Sequence, residues 1–324
     1  MGSTGTYDAL VWGRSTNGGD TFPGGLRVYQ ENLIDKPSIA SSADGNTAYV
    51  AYTTHEFGGS QVRVTRLSAT GSLGTTVIPS SNGGTNAIVR VDPTKPLNIY
   101  VTYQVPTGAT DKIVFAASVN GAVSFSNWSE VVTGIAPLPM GTIYAANGYR
   151  MRNDIWSHFI IDPGNNHCDV VYESAGRVYF TSSATGLVGS WSVPARLSDN
   201  STTFTDFQPI ITASKTRVAV IHFRQTISTA PTVTMGFIST NHGSSWSNQV
   251  LSRDGGGVPI ASQPCVLPDN SYFGDYIAVA PLAIDSDSAP SPAFYAVWTD
   301  SRRGCSVQNH HYVLHAHTMG ASFQ

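Results

Sequence analysis

The segment STNHGSSW (Ser239–Trp246) occurs a second time near the start of the chain, as STNGGDTF (Ser15–Phe22). Both read Ser-x-Asn-x-Gly-x-Ser/Thr followed by an aromatic residue. This pattern is typical of a tight turn, because the polar side chain can bond its own backbone, glycine accepts a positive φ and the aromatic ring packs between sheets. Weaker copies carry Gly71, Ala122 in the glycine position, Gly186 and Gly320. The 324-residue chain therefore makes this hairpin turn about six times.

Each turn closes a repeating unit of short apolar strands. An Asp or Asn precedes the first strand, the second strand ends in an aromatic residue, and the third strand leads into the turn. The aromatic residues are Tyr52, Tyr103, Tyr172, Phe223 and Trp298, and we expect them to form core. Frequent Gly and Pro and the lack of a helical period predict an all-β protein. Four-stranded antiparallel units repeated in this way bury both faces when arranged radially, so the predicted fold is a β-propeller.

The turn resembles the Asp box of the sialidase-like (BNR repeat) β-propellers, Ser-x-Asp-x-Gly-x-Ser/Thr-Trp. Asn17 and Asn241 stand where that family has Asp, while Phe22 and Trp246 supply the aromatic residue. The segments FGDYIAVAP and YAVWTDSRRG are also similar to the closing repeat of many bacterial sialidase-like proteins. The resemblance implies the fold and not the activity, because the Asp box is a structural device.

We predict one propeller domain over residues 1–324, which the chain enters in the middle of a blade. The six turns favour six blades, whereas the five inner strands led by Asp or Asn fit five blades with an additional N-terminal hairpin. The predicted units are the hairpin 7–29 and the repeats 35–80, 86–133, 154–199, 206–252 and 275–324.

The Asp or Asn before each inner strand is the most specific signal for function. These residues are Asp35, Asn86, Asp154, Asp206 and Asp275. In a propeller the inner strands begin on one face, so five equivalent residues should surround the mouth of the channel. They would either cap strand starts or bind Ca²⁺, since converging carboxylates repel one another unless a cation or proton compensates and calcium prefers carboxylate and amide oxygens. Acid–base chemistry without a metal is the third interpretation.

Candidate catalytic residues are expected at the same mouth. His158 and His222 are expected at equivalent inner positions, as core histidines or as general bases poised near neutral pH. Glu173 directly follows an aromatic residue of the second strands, and Arg152 and Arg224 are candidate oxyanion partners.

Two long insertions, residues 134–153 and 254–274, are expected to shape a pocket or to decorate the surface. Tyr144, Tyr149 and Tyr272 are therefore candidate substrate-binding residues. Asp300 and Arg302 are further candidate substrate-binding residues, because they follow Trp298 at the end of the second strand of the last repeat.

The interpretation favoured by these residues is a hydrolase in which a divalent cation in the Asp/Asn set assists cleavage of an ester, phosphoester or glycosidic bond. The alternatives are a non-catalytic glycan-binding propeller, a glycosidase that uses two carboxylates of the set, and a sialidase-like exo-glycosidase. Sialidase activity is disfavoured, because DKPS (Asp35–Ser38) stands where that family carries an arginine motif.

The composition limits the partners and the location. The formal net charge is −3, which argues against nucleic acid or an anionic membrane as the main partner. Charged residues make up only 12% of the chain, so the polar surface is rich in uncharged side chains, a composition often seen outside the cytoplasm. We therefore expect an extracellular or periplasmic protein, although no signal peptide opens this sequence.

Overall fold

The computed structural model describes residues 7–22, 27–32, 34–56, 59–68, 70–79, 83–137, 157–199, 201, 203–226, 232–252, 277–281 and 294–298. Regular structure in these ranges is entirely β, in twenty strands. None of the residues in these ranges forms a helix long and apolar enough to cross a membrane.

Four sheets have four strands each, joined as antiparallel meanders. They are formed by β3 (Ile34–Ser41), β4 (Thr47–Glu56), β5 (Gly59–Ser68) and β6 (Gly71–Val77); by β7 (Thr85–Val91), β8 (Ile99–Pro106), β9 (Asp111–Ser118) and β10 (Asn127–Ile135); by β11 (Ser157–Ile161), β12 (Cys168–Ser174), β13 (Arg177–Ser183) and β14 (Ala195–Arg196); and by β15 (Phe204–Ala213), β16 (Val218–Thr226), β17 (Thr232–Ser239) and β18 (Ser247–Val250). Two pairs complete the set, β1 (Tyr7–Trp12) with β2 (Arg27–Asn32) and β19 (Ile277–Pro281) with β20 (Phe294–Trp298). These sheets confirm the predicted four-stranded antiparallel unit.

The recurring turn lies between the third and fourth strands, as STNHGSSW does between β17 and β18. Ser239 Oγ accepts a hydrogen bond from Gly243 N at 2.8 Å, and Asn241 Oδ1 accepts one from Ser245 N at 2.8 Å. Equivalent bonds form in the turns that begin at Ser15 and Ser118. The polar side chains of the motif thus bond their own turn, as expected.

The described strands belong to two compact units, Met1–Gly134 with Gly186–Gly189, and Ile135–Thr185 with Ser190–Gln324. Each unit has its own buried apolar clusters. The aromatic residues Tyr52 and Tyr103 are fully buried in the first unit, and Tyr172 and Phe223 are buried in the second. These four aromatic residues are therefore core, in line with the sequence-based prediction.

A β-bulge interrupts the first strand of three four-stranded sheets. The pairing shifts between Asp35 and Ser38 in β3, between Thr85 and Ile88 in β7, and between Phe207 and Ile210 in β15. Each bulge contains one non-glycine residue with a left-handed backbone: Lys36 (φ 49°), Asn86 (φ 54°) and Gln208 (φ 51°). Such residues are uncommon, so their recurrence marks one defined position in each strand.

The bulges correct the expectation that the Asp and Asn residues are equivalent. Asp35 is the last paired residue before its bulge, Asn86 lies inside its bulge, and Asp206 stands one residue before the last paired residue. Successive side chains of a strand point to opposite faces, so a difference of one residue changes the face on which a side chain lies.

The same register corrects the expected equivalence of the two histidines. His158 lies on the first strand of its sheet, whereas His222 lies on the second strand of the next sheet, opposite the bulge. Tyr52 and Tyr103 occupy the positions opposite the other two bulges. His222 therefore occupies the position that a buried tyrosine has in the other two sheets.

Candidate active site

An ion pair between Asp206 and Arg224 forms where β15 and β16 pair these two residues. Arg224 donates to both carboxylate oxygens, from Nε to Oδ1 at 2.6 Å and from Nη2 to Oδ2 at 2.9 Å. Its Nη1 also donates to Asp199 Oδ2 at 3.1 Å, and its guanidinium carbon lies 5.0 Å from the centre of the Phe204 ring. Such a bidentate, charge-assisted pair fixes the orientation of both side chains.

His222 extends this pair into the core. Its side chain is fully buried, it stacks on Phe237 with the ring centres 5.0 Å apart, and its Nε2 lies 3.3 Å from Asp206 Oδ1 without the alignment of a hydrogen bond. Burial alone would raise the pKa of Asp206, but His222 and Arg224 together hold that pKa below its ordinary value. Asp206 is therefore ionised at neutral pH.

Glu173 reaches the same region from β12 of the neighbouring sheet. Its Oε2 accepts a hydrogen bond from the backbone N of Gln208 at 3.0 Å, two residues beyond Asp206. Burial raises the pKa of Glu173 to about 8, and the negative charge of Asp206 adds to this effect. The bond from Gln208 acts in the opposite direction but does not cancel it. Glu173 therefore holds a proton at neutral pH.

Two neighbouring carboxyl groups are thus held in opposite protonation states. Glu173 can donate a proton, and Asp206 carries a negative charge that Arg224 and His222 stabilise. Pairs of carboxyl groups whose pKa values are pushed apart by their surroundings are typical of acid–base catalytic sites. Glu173, Arg224 and His222 were all candidates from sequence, and the structure brings them together around Asp206.

The other described members of the Asp/Asn set contact side chains of their own sheets. Asp35 lies 3.6 Å from His55 Nε2, and Asn86 Nδ2 donates a short hydrogen bond to Gln104 Oε1. Each partner lies on the second strand, as Arg224 does for Asp206. These contacts favour the interpretation of strand-start partners over that of metal ligands.

The described residues contain no group of three or more His, Cys, Asp or Glu side chains arranged to hold a metal ion. A carboxylate that is already bonded at both oxygens to a guanidinium is also a poor ligand for calcium, because the ion would face the positive charge of Arg224. Asp206 therefore does not fit the ion, and calcium binding by the set stays a prediction. Asp154 and Asp275 lie outside the described residues.

His158 lies against a different part of β15, where its Nδ1 accepts a hydrogen bond from Ile211 N at 3.4 Å. This bond leaves the ring nitrogen occupied by backbone, which argues against a general base at that atom. Several candidate residues lie outside the described residues: Arg152, Tyr144, Tyr149, Tyr272, Asp300 and Arg302.

The sequence analysis did not single out Gln208, whose backbone holds the acid Glu173. Proline inside a first strand was the signal that could have found it, because proline within a sheet is confined to edges, strand starts and bulges. Pro209 directly follows Gln208, and Pro37 follows Lys36 in the equivalent bulge.

No family model matches the sequence, and no curated protein matches it. Solved structures do match. The GH93 α-L-arabinofuranosidase of Fusarium graminearum in complex with arabinobiose has a TM-score of 0.51 at 11% identity, over 82% of this chain and 74% of that chain. The catalytic domain of the Coprinopsis cinerea GH62 α-L-arabinofuranosidase has a TM-score of 0.45 at 12% identity, over 94% and 93% of the two chains.

The likeness to the GH93 structure establishes the β-propeller fold. Because the two sequences are only 11% identical, the likeness says nothing about activity. The number of blades, five or six, stays a prediction. The GH93 structure is an α-L-arabinofuranosidase by its name, so the resemblance is confirmed for the propeller fold and not for the sialidase-like family in particular.

Proposed function

We propose that this protein is a glycoside hydrolase in which Glu173 is the general acid and Asp206 is the ionised carboxylate. The observation that carries the proposal is the buried pair of carboxyl groups with divergent pKa values, about 8 for Glu173 and below the ordinary value for Asp206. Most glycosidases cleave the glycosidic bond with two carboxyl groups, of which one must be protonated and the other ionised.

The chemistry follows from these protonation states. Glu173 gives its proton to the oxygen of the leaving group as the bond from that oxygen to the anomeric carbon breaks. Positive charge then develops on the sugar ring, and the carboxylate of Asp206 stabilises it in a buried setting where such charge interactions are strong. Water then adds to the anomeric carbon and loses a proton to the Glu173 carboxylate, which supplies the hydroxyl group of the released sugar and restores the acid.

Arg224 and His222 act on the reaction through Asp206. Arg224 donates to both oxygens of Asp206, so the carboxylate stays ionised and cannot rotate freely. Because both oxygens already accept these bonds, we assign Asp206 to charge stabilisation rather than to attack on the sugar. His222 supports the same charge from the core side at 3.3 Å.

The first substrates to test are α-L-arabinofuranosides. The GH93 structure, with a TM-score of 0.51, is an α-L-arabinofuranosidase solved with arabinobiose, so arabinobiose and aryl α-L-arabinofuranosides come before other glycosides. The predicted extracellular or periplasmic location is compatible with a glycan substrate and stays a prediction.

The divalent cation expected from the sequence is not part of this proposal. The described members of the Asp/Asn set have side-chain partners, and Arg224 opposes a second cation at Asp206. Ester and phosphoester cleavage depended on that cation, so they are also set aside in favour of glycoside cleavage.

The test compares wild type, Glu173→Gln and Asp206→Asn on an aryl arabinofuranoside with a poor leaving group and on one with a good leaving group. Loss of the general acid should lower kcat/KM on the poor leaving group by about 10²–10⁴-fold and spare the good one, because an activated leaving group needs no proton. Asp206→Asn should lower both equally. Glu130→Gln, on a half-exposed side chain paired with Lys112, is the matched control and should change neither.

A Glu173→Gln enzyme that is equally impaired on both leaving groups would refute the role of Glu173. Binding of arabino-oligosaccharides by wild type without release of any product would instead support the glycan-binding alternative. Because both results come from the same purified proteins, the two functions are separated in one set of measurements.

A further inference from the structure

The side-chain amide of Gln208 is buried without a partner. The residue is 2% exposed, and neither Oε1 nor Nε2 has a hydrogen-bond partner among the described residues. Buried polar groups in folded proteins are almost always paired, so an exception calls for a physical reason. A ligand that supplies the missing bonds is such a reason.

The backbone at Gln208 is also held in an unfavourable conformation. Its φ is 51°, in the left-handed region, and the bulge between Phe207 and Ile210 leaves it out of the pairing of β15 with β16. Bulges redirect side chains, and left-handed non-glycine residues concentrate at ligand sites. The bulge and the unpaired amide are independent observations, since one concerns the backbone and the other the side chain.

The equivalent residue in β7 has a side-chain partner across the sheet. Asn86 has the same left-handed backbone (φ 54°) in the same bulge position, and its amide donates to Gln104 across the sheet. Gln104 pairs with the residue just before the bulge of β7, and the equivalent position in the sheet of Gln208 is Phe223, whose side chain has no amide to accept such a bond. The pairing found in β7 is thus missing in β15.

Gln208 contacts the proposed general acid, because its backbone N donates a hydrogen bond to Glu173 Oε2 at 3.0 Å. A sugar whose glycosidic oxygen receives the proton of Glu173 would bring ring hydroxyl groups beside this residue. A hydroxyl group both donates and accepts hydrogen bonds, as a carboxamide does. The two groups can therefore satisfy each other.

We infer that the Gln208 side chain binds a hydroxyl group of the sugar whose glycosidic bond Glu173 protonates. The inference rests on the proposed function and adds a substrate-binding residue to it. The backbone of Gln208 positions the acid, and its side chain selects a sugar that carries a hydroxyl group at one ring position.

The test is Gln208→Met, which keeps the length of the side chain and the left-handed backbone but removes both polar atoms. We expect kcat/KM on arabinobiose to fall about tenfold or more, while the Tm of the free protein stays the same or rises, because an unpaired buried amide has been removed. Gln104→Met is the matched control: it removes a buried amide that is paired with Asn86, so its Tm should fall.

A panel of monodeoxy aryl arabinofuranosides identifies the hydroxyl group. On the sugar that lacks the bound group, wild type and Gln208→Met should have the same kcat/KM, while they differ on every other sugar. Equal activity of the two proteins on all sugars would overturn the inference and leave the proposed function intact.

The Tm comparison separates the inference from the proposed function. A fall in Tm for Gln208→Met as large as that for Gln104→Met would show that the amide is a structural partner, and this overturns the inference even if wild type cleaves none of the sugars. Failure of wild type to cleave any glycoside refutes the proposed function on its own, whatever the Tm values.

Discussion

Replacing Glu173 by Gln should make the protein more stable at alkaline pH, although it removes the proposed general acid. The pKa of Glu173 is about 8 in the folded chain, because of burial and the charge of Asp206, against an ordinary value of 4.5. The folded state therefore keeps a proton that the unfolded state has lost, and stability decreases as the pH rises from 4.5 to about 8. Each pH unit in that interval removes up to about 1.4 kcal/mol, so the whole interval is worth on the order of 5 kcal/mol.

Urea unfolding of wild type and Glu173→Gln at about pH 5 and about pH 8.5 measures this effect. Glutamine cannot lose a proton, so the variant should match wild type at the lower pH and exceed it at the higher pH by up to the amount above. Asp169, whose pKa burial raises to about 8, titrates in both proteins and cancels in the comparison. Glu130→Gln should follow wild type, because the Glu130 side chain is 44% exposed. Parallel pH profiles for wild type and Glu173→Gln would refute the assignment of a protonated Glu173.

Three further predictions follow from other contacts. Arg224→Met should lower the free energy of unfolding by about 3–5 kcal/mol, because it leaves Asp206 buried without its bidentate partner, and the double variant with Asp206→Asn should recover part of that loss in urea unfolding. Gly186→Ala should lower the free energy of unfolding by about 1–3 kcal/mol more than Gly189→Ala, which a lower Tm would show. Both glycines have left-handed backbones, but only a Cβ at position 186 would lie 2.4 Å from Phe115 Cε1. Chelation should leave Tm and turnover unchanged, whereas a fall that calcium reverses would establish the metal site predicted from sequence.

The turns and sheets could be predicted because their chemistry is local. The pattern Ser-x-Asn-x-Gly contains the donors and acceptors that close its own turn, as the bonds of Ser239 and Asn241 show. Ala122 was assigned to a glycine position from its place in the pattern, and its φ of 59° confirms that assignment. Local patterns of this kind survive the loss of one residue of the motif.

The register of the first strands could not be predicted from spacing. Asp35, Asn86 and Asp206 lie at nearly constant distances from the aromatic residues that follow them, which made them look equivalent. The bulge stands at a different offset from each acid although the spacing of acid and aromatic is the same, so only the pairing reveals the register. The partners of Asp206 were found in sequence as separate candidates, but their arrangement depends on this register.

Asp206 links stability to the proposed chemistry, because its negative charge acts on Glu173 as well as on the cationic side of the ion pair. Its carboxylate helps to raise the pKa of Glu173, while Arg224 and His222 compensate the same charge. Removing Arg224 would leave this negative charge less compensated and raise the pKa of Glu173 further, so the alkaline limb of the pH–activity profile should move upward. Asp206→Asn removes the charge and should move that limb downward. Opposite shifts from two variants of one ion pair cannot arise from a general loss of packing, which would move both in the same direction.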